Sequence, residues 1–321
     1  MRIVWIFVAV IVVLCAALFV SGELLINVGI KADQPERKPR KKKSDRPETP
    51  AQRQLRLTRE SGLAWKEAQT FETVSIQSRD GLRLIGYYLP CPQAKRTVLM
   101  VHGWRGSWED MCEYGPFLRE QRCNLLFVEQ RGHGSSEGEY LGFGVLERYD
   151  CMRWIDWLLE REQNLPLYLF GCSQGGATVL MTAGFDLPEQ VRGIIDDCGF
   201  VSPEEQVVLK LKEWWHLPRQ PFLLVGDLAC RRRAKYSLME YSTLKAMETN
   251  RIPVLFVHGK EDRFVPVSDT LRNYEACKAE KDLLLVEGAR HIQSYAIGGD
   301  AYRAKLSDFF QRCERREEEA G

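Results

Sequence analysis

From about residue 70 onward, short apolar runs ending in or near glycine alternate with stretches of helical period, and this alternation leaves the chain few architectures. "RTVLMVHG" (96–103), "NLLFVE" (124–129), "LPLYLFG" (165–171), "VRGIIDDCGF" (191–200), "IPVLFVHG" (252–259) and "DLLLVEG" (282–288) have strand length and are apolar on both sides, as strands covered on both faces are. Helical patterns fall near 108–121, 143–161, 270–279 and 300–313, and another follows Ser173. In 143–161 the pattern sets Val145, Tyr149, Met152, Ile155, Trp157, Leu158 and Leu159 largely on one face. Such alternation predicts a mostly parallel sheet with helices on both faces. "TVSIQSRDGLRLIGYYL" (73–89) adds an antiparallel start, two strands about an Asp80-Gly81 turn, which makes eight strands in all. Sites in these sheets form at the carboxyl ends of strands. Residues 201–250 interrupt the alternation for fifty positions, too many for a plain connection, and read as a helical lid over that edge.

The N-terminal region is different in kind. Ile3 to Gly22 is a run of 20 residues without a charge. At about 1.5 Å per residue, a helix of that length matches a hydrocarbon core of about 30 Å. A cleavable signal has a shorter apolar core and a small-residue cleavage site, whereas here "GELLINVGI" continues the apolar character, so residues 1–30 read as an uncleaved anchor. Residues 31–50 carry eight basic side chains, four acidic ones and four prolines. This composition buries no core and predicts a solvated basic linker over 31–68 whose charge attracts anionic lipid. Only Arg2 precedes the apolar run, so the charge bias places the C-terminal body on the cytoplasmic side of a single-pass protein of the cell membrane.

Composition excludes some classes. Apolar and charged fractions of 45% and 28% are those of a globular chain, and a mean hydropathy of −0.30 excludes a polytopic membrane protein. A net charge of +1 gives no reason to expect a nucleic-acid partner. Nine of the ten cysteines lie outside the anchor, singly and without CxxC spacing, which suits buried thiols in a reducing compartment. No set of Cys and His has metal-ligand spacing, and neither metal nor cofactor is expected.

The reactive candidate is Ser173 in Gly171-Cys172-Ser173-Gln174-Gly175. G-x-S-x-G between a buried strand and a helix presents a hydroxyl on a tight turn, where a base can reach it and the helix start favours negative charge. A base and an orienting acid must come from elsewhere. His291 lies in "LLLVEGARHIQSY" after the last strand, and Asp262 in "VLFVHGKEDRFVP" one strand earlier. The order Ser173, Asp262, His291 is the one this elbow uses on such a sheet. Glu261 is the rival acid, with Asp262 preferred for its place before "RFVP". Backbone N–H groups of Trp104, in "VHGWRGS", and of Gln174 are the candidate oxyanion donors. His102 and His258, each inside a "VHG" strand end, read as structural.

Together, "SRDGLRLIGYYLP", "VHGWRGS", "EQRGHGSSEGE", "GCSQGG", "VHGKEDRFVP" and "EGARH" resemble the α/β-hydrolase superfamily of serine hydrolases over residues 73–313. The chain is most similar to its bacterial single-pass branch, grouped with serine aminopeptidase S33, monoacylglycerol-lipase-like and prolyl-oligopeptidase-like hydrolases. The resemblance implies an α/β-hydrolase domain over 69–316, with a charged tail at 317–321. It departs from the pattern in "FVEQRGHGSS", where many relatives carry Asp at position 129 or 130. The implied activity is hydrolysis of a small acyl substrate, a carboxylic ester before a thioester or small amide, through an acyl-enzyme on Ser173. An aminopeptidase and a non-catalytic lipid- or partner-binding protein are the alternatives. In the lid, Trp214, Trp215, Phe222 and Leu223 are read either as packing or as the wall of an acyl pocket, and Arg231, Arg232 and Arg233 as a solvated run. Oligomeric state is left open.

Overall fold

The computed structural model describes residues 1–32, 47–162 and 164–320. Its centre is one eight-stranded sheet in the order β1-β2-β4-β3-β5-β6-β7-β8. The expected hairpin supplies β1 (Glu72–Gln77) and β2 (Arg83–Leu89), joined through Gly81 at φ +88° and paired antiparallel. β2 runs antiparallel to β4 (Cys123–Val128), and every later pairing is parallel. β3 (Arg96–Val101), β5 (Leu167–Cys172), β6 (Val191–Asp197) and β7 (Val254–Gly259) fill the middle, and β8 (Lys281–Val286) closes the far edge.

The central strands lack a polar face because both of their faces are covered. Met100, Phe127, Tyr168, Phe170 and Leu255 pack on one side with α3 (Gly115–Glu120) and α10 (Ser294–Ala320), including Phe309 and Phe310. Leu99, Leu126, Leu169, Ile194 and Phe256 pack on the other with α4 (Glu147–Arg161), α5 (Gln174–Thr182) and α8 (Thr243–Thr249). On α4 the buried aromatic is Trp154, and Trp157 of the predicted face is only half-buried. α9 (Val267–Ala276) matches the helix expected at 270–279, whereas α10 runs past residue 313 through the charged tail to Ala320.

Three expected boundaries are corrected. The linker assigned to 31–68 holds a helix, α2 (Pro50–Glu67), and its residues 33–46 lie outside the described ones. Thr49 and Gln52 form a capping box, each side chain accepting from the other's backbone N–H (3.2 and 2.9 Å), with Pro50 following the cap. The helix docks through Trp65, whose ring meets Phe71 edge-on at 6.1 Å, and through Lys66, 2.9 Å from Glu109. The lid proper is shorter than 201–250. It consists of α6 (Pro203–Trp215), capped by Ser202, and α7 (Arg219–Arg233), whereas α8 is a body helix with Ala246 and Met247 in the core. The helix near 108–121 is a tight 3-10 segment, Trp108–Tyr114, followed by α3.

The apolar N-terminus is one helix, α1 (Arg2–Gly29), long and apolar enough to cross a membrane. Its last turns do not stand apart from the body. Ile26, together with Ile30 just beyond the helix, is buried in a third apolar cluster with Leu223, Ala229 and Cys230 of α7, Phe200 and Val265.

Candidate active site

β5 ends at Cys172 in the middle of the sheet, and α5 begins two residues later with Ser173 as its N-cap. The turn between them is crowded. A Cβ on Gly171 would lie 2.0 Å from the Gly175 carbonyl oxygen, and one on Gly175 would lie 2.0 Å from that of Val101. Ser173 itself sits at φ +55°, a region that side-chain-bearing residues rarely adopt. Its N–H donates to the Asp197 carbonyl (2.8 Å), and its own carbonyl accepts from Ala177 (3.0 Å). The backbone is held at both ends, and the hydroxyl is presented at the rim.

The structure brings three of the expected residues into one hydrogen-bonded chain. Ser173 Oγ lies 2.8 Å from His291 Nε2, and His291 Nδ1 donates to Asp262 Oδ2 at 2.6 Å. Since Nδ1 faces a carboxylate it carries the proton, which leaves Nε2 to accept from the serine hydroxyl. Asp262 is buried and the rival Glu261 is exposed, which decides between them on geometry. Asp262 Oδ1 accepts the N–H groups of Phe264 (2.8 Å) and Val265 (3.0 Å), so the carboxylate cannot rotate away.

His258 is structural, as expected, but it also touches this chain. Its Nδ1 accepts from Thr270 Oγ1 (2.7 Å), and its Nε2–H points at Val265 O (3.0 Å) and Asp262 Oδ2 (3.3 Å). Burial by itself pushes the Asp262 carboxyl up. Hydrogen bonds from His258 and His291 outweigh it and hold the carboxyl well below the usual range. Burial pushes His258 down, and its bond to Asp262 and that charge reverse the shift to a net rise.

The loop after β3 crosses the serine: a Cβ on Gly103 would come within 3.2 Å of Ser173 Cβ. Trp104 follows Gly103, and Gln174 is the first residue of α5, where helical N–H groups have no partner within the helix. Trp104 thus adjoins the loop residue that packs on Ser173, and Gln174 is the serine's neighbour in the chain. His102 and His133 shape this loop. His102 Nδ1–H donates to Gly103 O (2.8 Å), and its Nε2 accepts from Gln130 N (3.2 Å). His133 Nδ1–H donates to Arg131 O (3.0 Å), and its Nε2 accepts from Arg105 N (3.1 Å). The departure at 129–130 is structural: Glu129 accepts from Ser135 N (2.6 Å), and Gln130 reaches His102 O (2.6 Å) and Thr178 (3.1 Å).

Two residues that sequence reasoning missed lie beneath the elbow. Asp197 accepts from Ser294 Oγ (2.9 Å) and Tyr302 OH (3.1 Å). Asp196 Oδ1 accepts from Gly199 N (2.9 Å), and burial pushes its carboxyl up to about 7. Gly176 and Gly199 make room for that carboxyl, since a Cβ on either would lie 2.2 or 2.3 Å from it. The "DDCGF" at the end of β6 was the available signal. Among the described residues one His/Cys/carboxylate group, Cys198, Asp262 and His291, is close enough to hold an ion. Its carboxylate and imidazole already bond each other, and burial pushes the Cys198 thiol well up.

Ser173 opens into an apolar cavity whose empty space, about 760 Å³, includes its mouth open to solvent. Trp104, Trp214, Trp215 and Phe264 line it, with Leu25, Ile26, Val28, Gly29 and Ile30 from the N-terminal segment. Of the lid residues named in the sequence, Trp214 and Trp215 line this cavity. Phe222 and Leu223 do not line the cavity, and Leu223 is packed into the third apolar cluster. The wall assigned to them is supplied by α1 and by Phe264, whose ring lies 4.8 Å from His291 and 6.2 Å from Trp214. Arg231, Arg232 and Arg233 are not free in solvent: Arg231 pairs with Asp227, and the other two pair with Glu23 of α1.

Comparison with known proteins agrees with this architecture. The sequence model described as serine aminopeptidase, S33, matches residues 92–229, which include the elbow and stop short of Asp262 and His291. The chain has the α/β-hydrolase fold. Among curated relatives, YqkD of Bacillus subtilis is 29% identical over 235 residues, covering 73% of this chain and 77% of its own. YfhR of Escherichia coli is 28% identical over 246 residues, covering 74% and 80%. Among solved structures, the Pyrococcus furiosus esterase Pf2001 superposes with a TM-score of 0.62 at 19% identity, covering 77% of this chain and 94% of its own. An acylaminoacyl peptidase of Pyrococcus horikoshii gives 0.57 at 19% identity, covering 78% and 43%. At these identities the structures establish the fold.

The geometry around His133 makes a pH prediction. Burial, with His102 nearby, lowers its pKa from 6.5 to about 3, so the folded state keeps it neutral where the unfolded state binds a proton. Between those values the unfolded chain holds more protons, and stability therefore falls as pH falls. From about pH 7.5 to about pH 5 this residue removes about 2 kcal/mol. Urea midpoints of the wild type and His133→Gln at both pH values check it: the variant is expected to have the flatter dependence, and equal slopes contradict the assignment.

Proposed function

We propose that this α/β-hydrolase is a serine hydrolase that cleaves carboxylic esters through an acyl-enzyme on Ser173. The observation that carries the reading is the Ser173–His291–Asp262 chain, 2.8 and 2.6 Å between its members, at the mouth of an apolar cavity. His291 Nε2 takes the hydroxyl proton as Oγ bonds to the ester carbonyl carbon, and the carbonyl π electrons move to oxygen. The N–H groups of Trp104 and Gln174 receive that negative charge. The intermediate collapses, the carbon–oxygen bond to the alcohol breaks, and the alcohol leaves with the proton held by His291. Water then repeats the sequence on the acyl-enzyme and regenerates the serine. Asp262 keeps Nδ1 protonated and offsets the imidazolium charge throughout.

Specificity rests on the lining. An aminopeptidase needs an acidic group for the substrate's free ammonium, and among the described residues none that lines this cavity is a carboxylate. The charged group among those described residues, Lys210, is bound to Phe264 O (2.7 Å) and Glu213 (2.9 Å). This favours an ester with an apolar acyl part over a peptide. A thioester passes through the same acyl-enzyme. A complete set of nucleophile, base and acid speaks against a purely binding role.

We also read α1 as a membrane anchor, with the body on the cytoplasmic side. Support comes from the lone Arg2 ahead of the span, the basic residues after it, and ten cysteines that are all free thiols.

Ser173→Ala is expected to lower turnover of p-nitrophenyl acetate at least about 1,000-fold with an unchanged melting temperature. A fluorophosphonate is expected to label a peptide containing Ser173. Undiminished turnover, or labelling elsewhere, contradicts the assignment. Aminoacyl-naphthylamides are expected to be poorer substrates than acyl esters, and the opposite ranking establishes the peptidase reading. For topology, added protease is expected to digest the body in inside-out membrane vesicles and spare it in right-side-out ones; the reverse pattern inverts the orientation.

A further inference from the structure

The helix that reads as an anchor divides into two parts. From Met1 to Val20 its residues are exposed, apart from a half-buried Leu18. Twenty residues at about 1.5 Å each span the thickness of a bilayer's hydrocarbon core, about 30 Å. From Gly22 onward the helix is docked. Its backbone approaches α7 closely enough that a Cβ on Gly22 would lie 2.6 Å from the Val225 carbonyl oxygen. Glu23 pairs with Arg232 and Arg233, and Asn27 accepts from Arg233 at 3.1 Å.

The docking reaches the reactive centre. The last carbonyls of a helix lack partners within it. Here they accept from the loop that crosses Ser173: Trp104 Nε1–H donates to Gly29 O (3.1 Å), and Arg105 donates to Val28 O (2.9 Å). The side chains between, Leu25, Ile26, Val28 and Ile30, face the same cavity as Ser173. Where the helix leaves the body, the Arg232 guanidinium lies over the Phe19 ring at 5.3 Å, as a basic side chain at headgroup level does. Trp214 and Trp215 at the cavity, and Leu224 and Leu228 on α7, are exposed apolar side chains of the lid, of the kind that seat in a membrane interface.

We propose that the last turns of α1 are a wall of the acyl-binding site, and that the substrate is a long-chain ester resident in the bilayer, its acyl chain entering alongside the helix. The proposal rests on reading Ser173 as the nucleophile and deepens it by naming the substrate class. On this account the helix completes the site, and the mouth of the cavity opens at membrane level.

The test uses the full-length protein in phosphatidylcholine nanodiscs, with p-nitrophenyl acetate and p-nitrophenyl dodecanoate. Leu25→Trp and Val28→Trp narrow the cavity from the α1 side at positions that are not fully buried; Leu14→Trp makes the same change on the bare span. The first two are expected to lower the dodecanoate-to-acetate ratio of kcat/KM at least about tenfold, and the third to leave it unchanged. Ratios within about twofold of wild type in both cavity variants, at wild-type melting temperature, overturn the proposal. In a second arm, 4-methylumbelliferyl oleate in the enzyme's own nanodisc is expected to be cleaved at least about tenfold faster than the same ester in separate nanodiscs. Equal rates overturn entry from the bilayer. Failure of the Ser173 reading looks different: wild type then neither hydrolyses the acetate nor reacts with a fluorophosphonate.

Discussion

A hydroxyl can be activated only where a base reaches it, and in this fold that place is a turn too tight for ordinary residues. Ser173 adopts φ +55° because β5 must stop, reverse and start α5 within two positions. The strain is held by bonds on either side of the serine, from its N–H to Asp197 O and to its carbonyl from Ala177, and by the absence of side chains at Gly171 and Gly175. A substituent at either glycine meets backbone at 2.0 Å, with no flexible group to give way. The sheet around the turn depends on the same economy of space, since β5 is hydrogen-bonded on both sides and buried on both faces.

The second condition is electrostatic. A carboxylate buried without partners would take a proton and lose its power to orient an imidazole. Asp262 avoids this because two backbone N–H groups hold one oxygen while His291 and His258 face the other. Nearby, burial pushes the Asp196 carboxyl up to about 7. Neighbouring carboxyls under one sheet edge thus differ because their hydrogen-bond donors differ. His258 looks like an interior histidine of β7 in the sequence, yet its ring helps set the charge on Asp262.

How much could be read in advance follows from how local each cause is. The strands were legible because burial on both faces leaves an apolar run, and the hairpin because Asp80-Gly81 fits its turn. The order of Ser173, Asp262 and His291 was legible because each follows a strand in a parallel sheet. The helix Pro50–Glu67 was not legible because its start is marked only by the Thr49–Gln52 cap, two side chains directly after a run dense in charge and proline. The lid's wall was placed on Phe222 and Leu223 by composition, although α7 turns Leu223 into a core shared with α1. Arg232 and Arg233 pair with Glu23 about two hundred positions away, and no pattern within either segment announces the other.

Ser173 and His291 must act as one unit, and a double-mutant cycle on kcat for p-nitrophenyl acetate measures that most directly. Once Ser173→Ala has removed the proton that His291 takes, His291→Ala has nothing further to remove, so the double variant is expected to match the slower single variant within about threefold. Losses that multiply in the double variant would show two independent contributions and contradict the account.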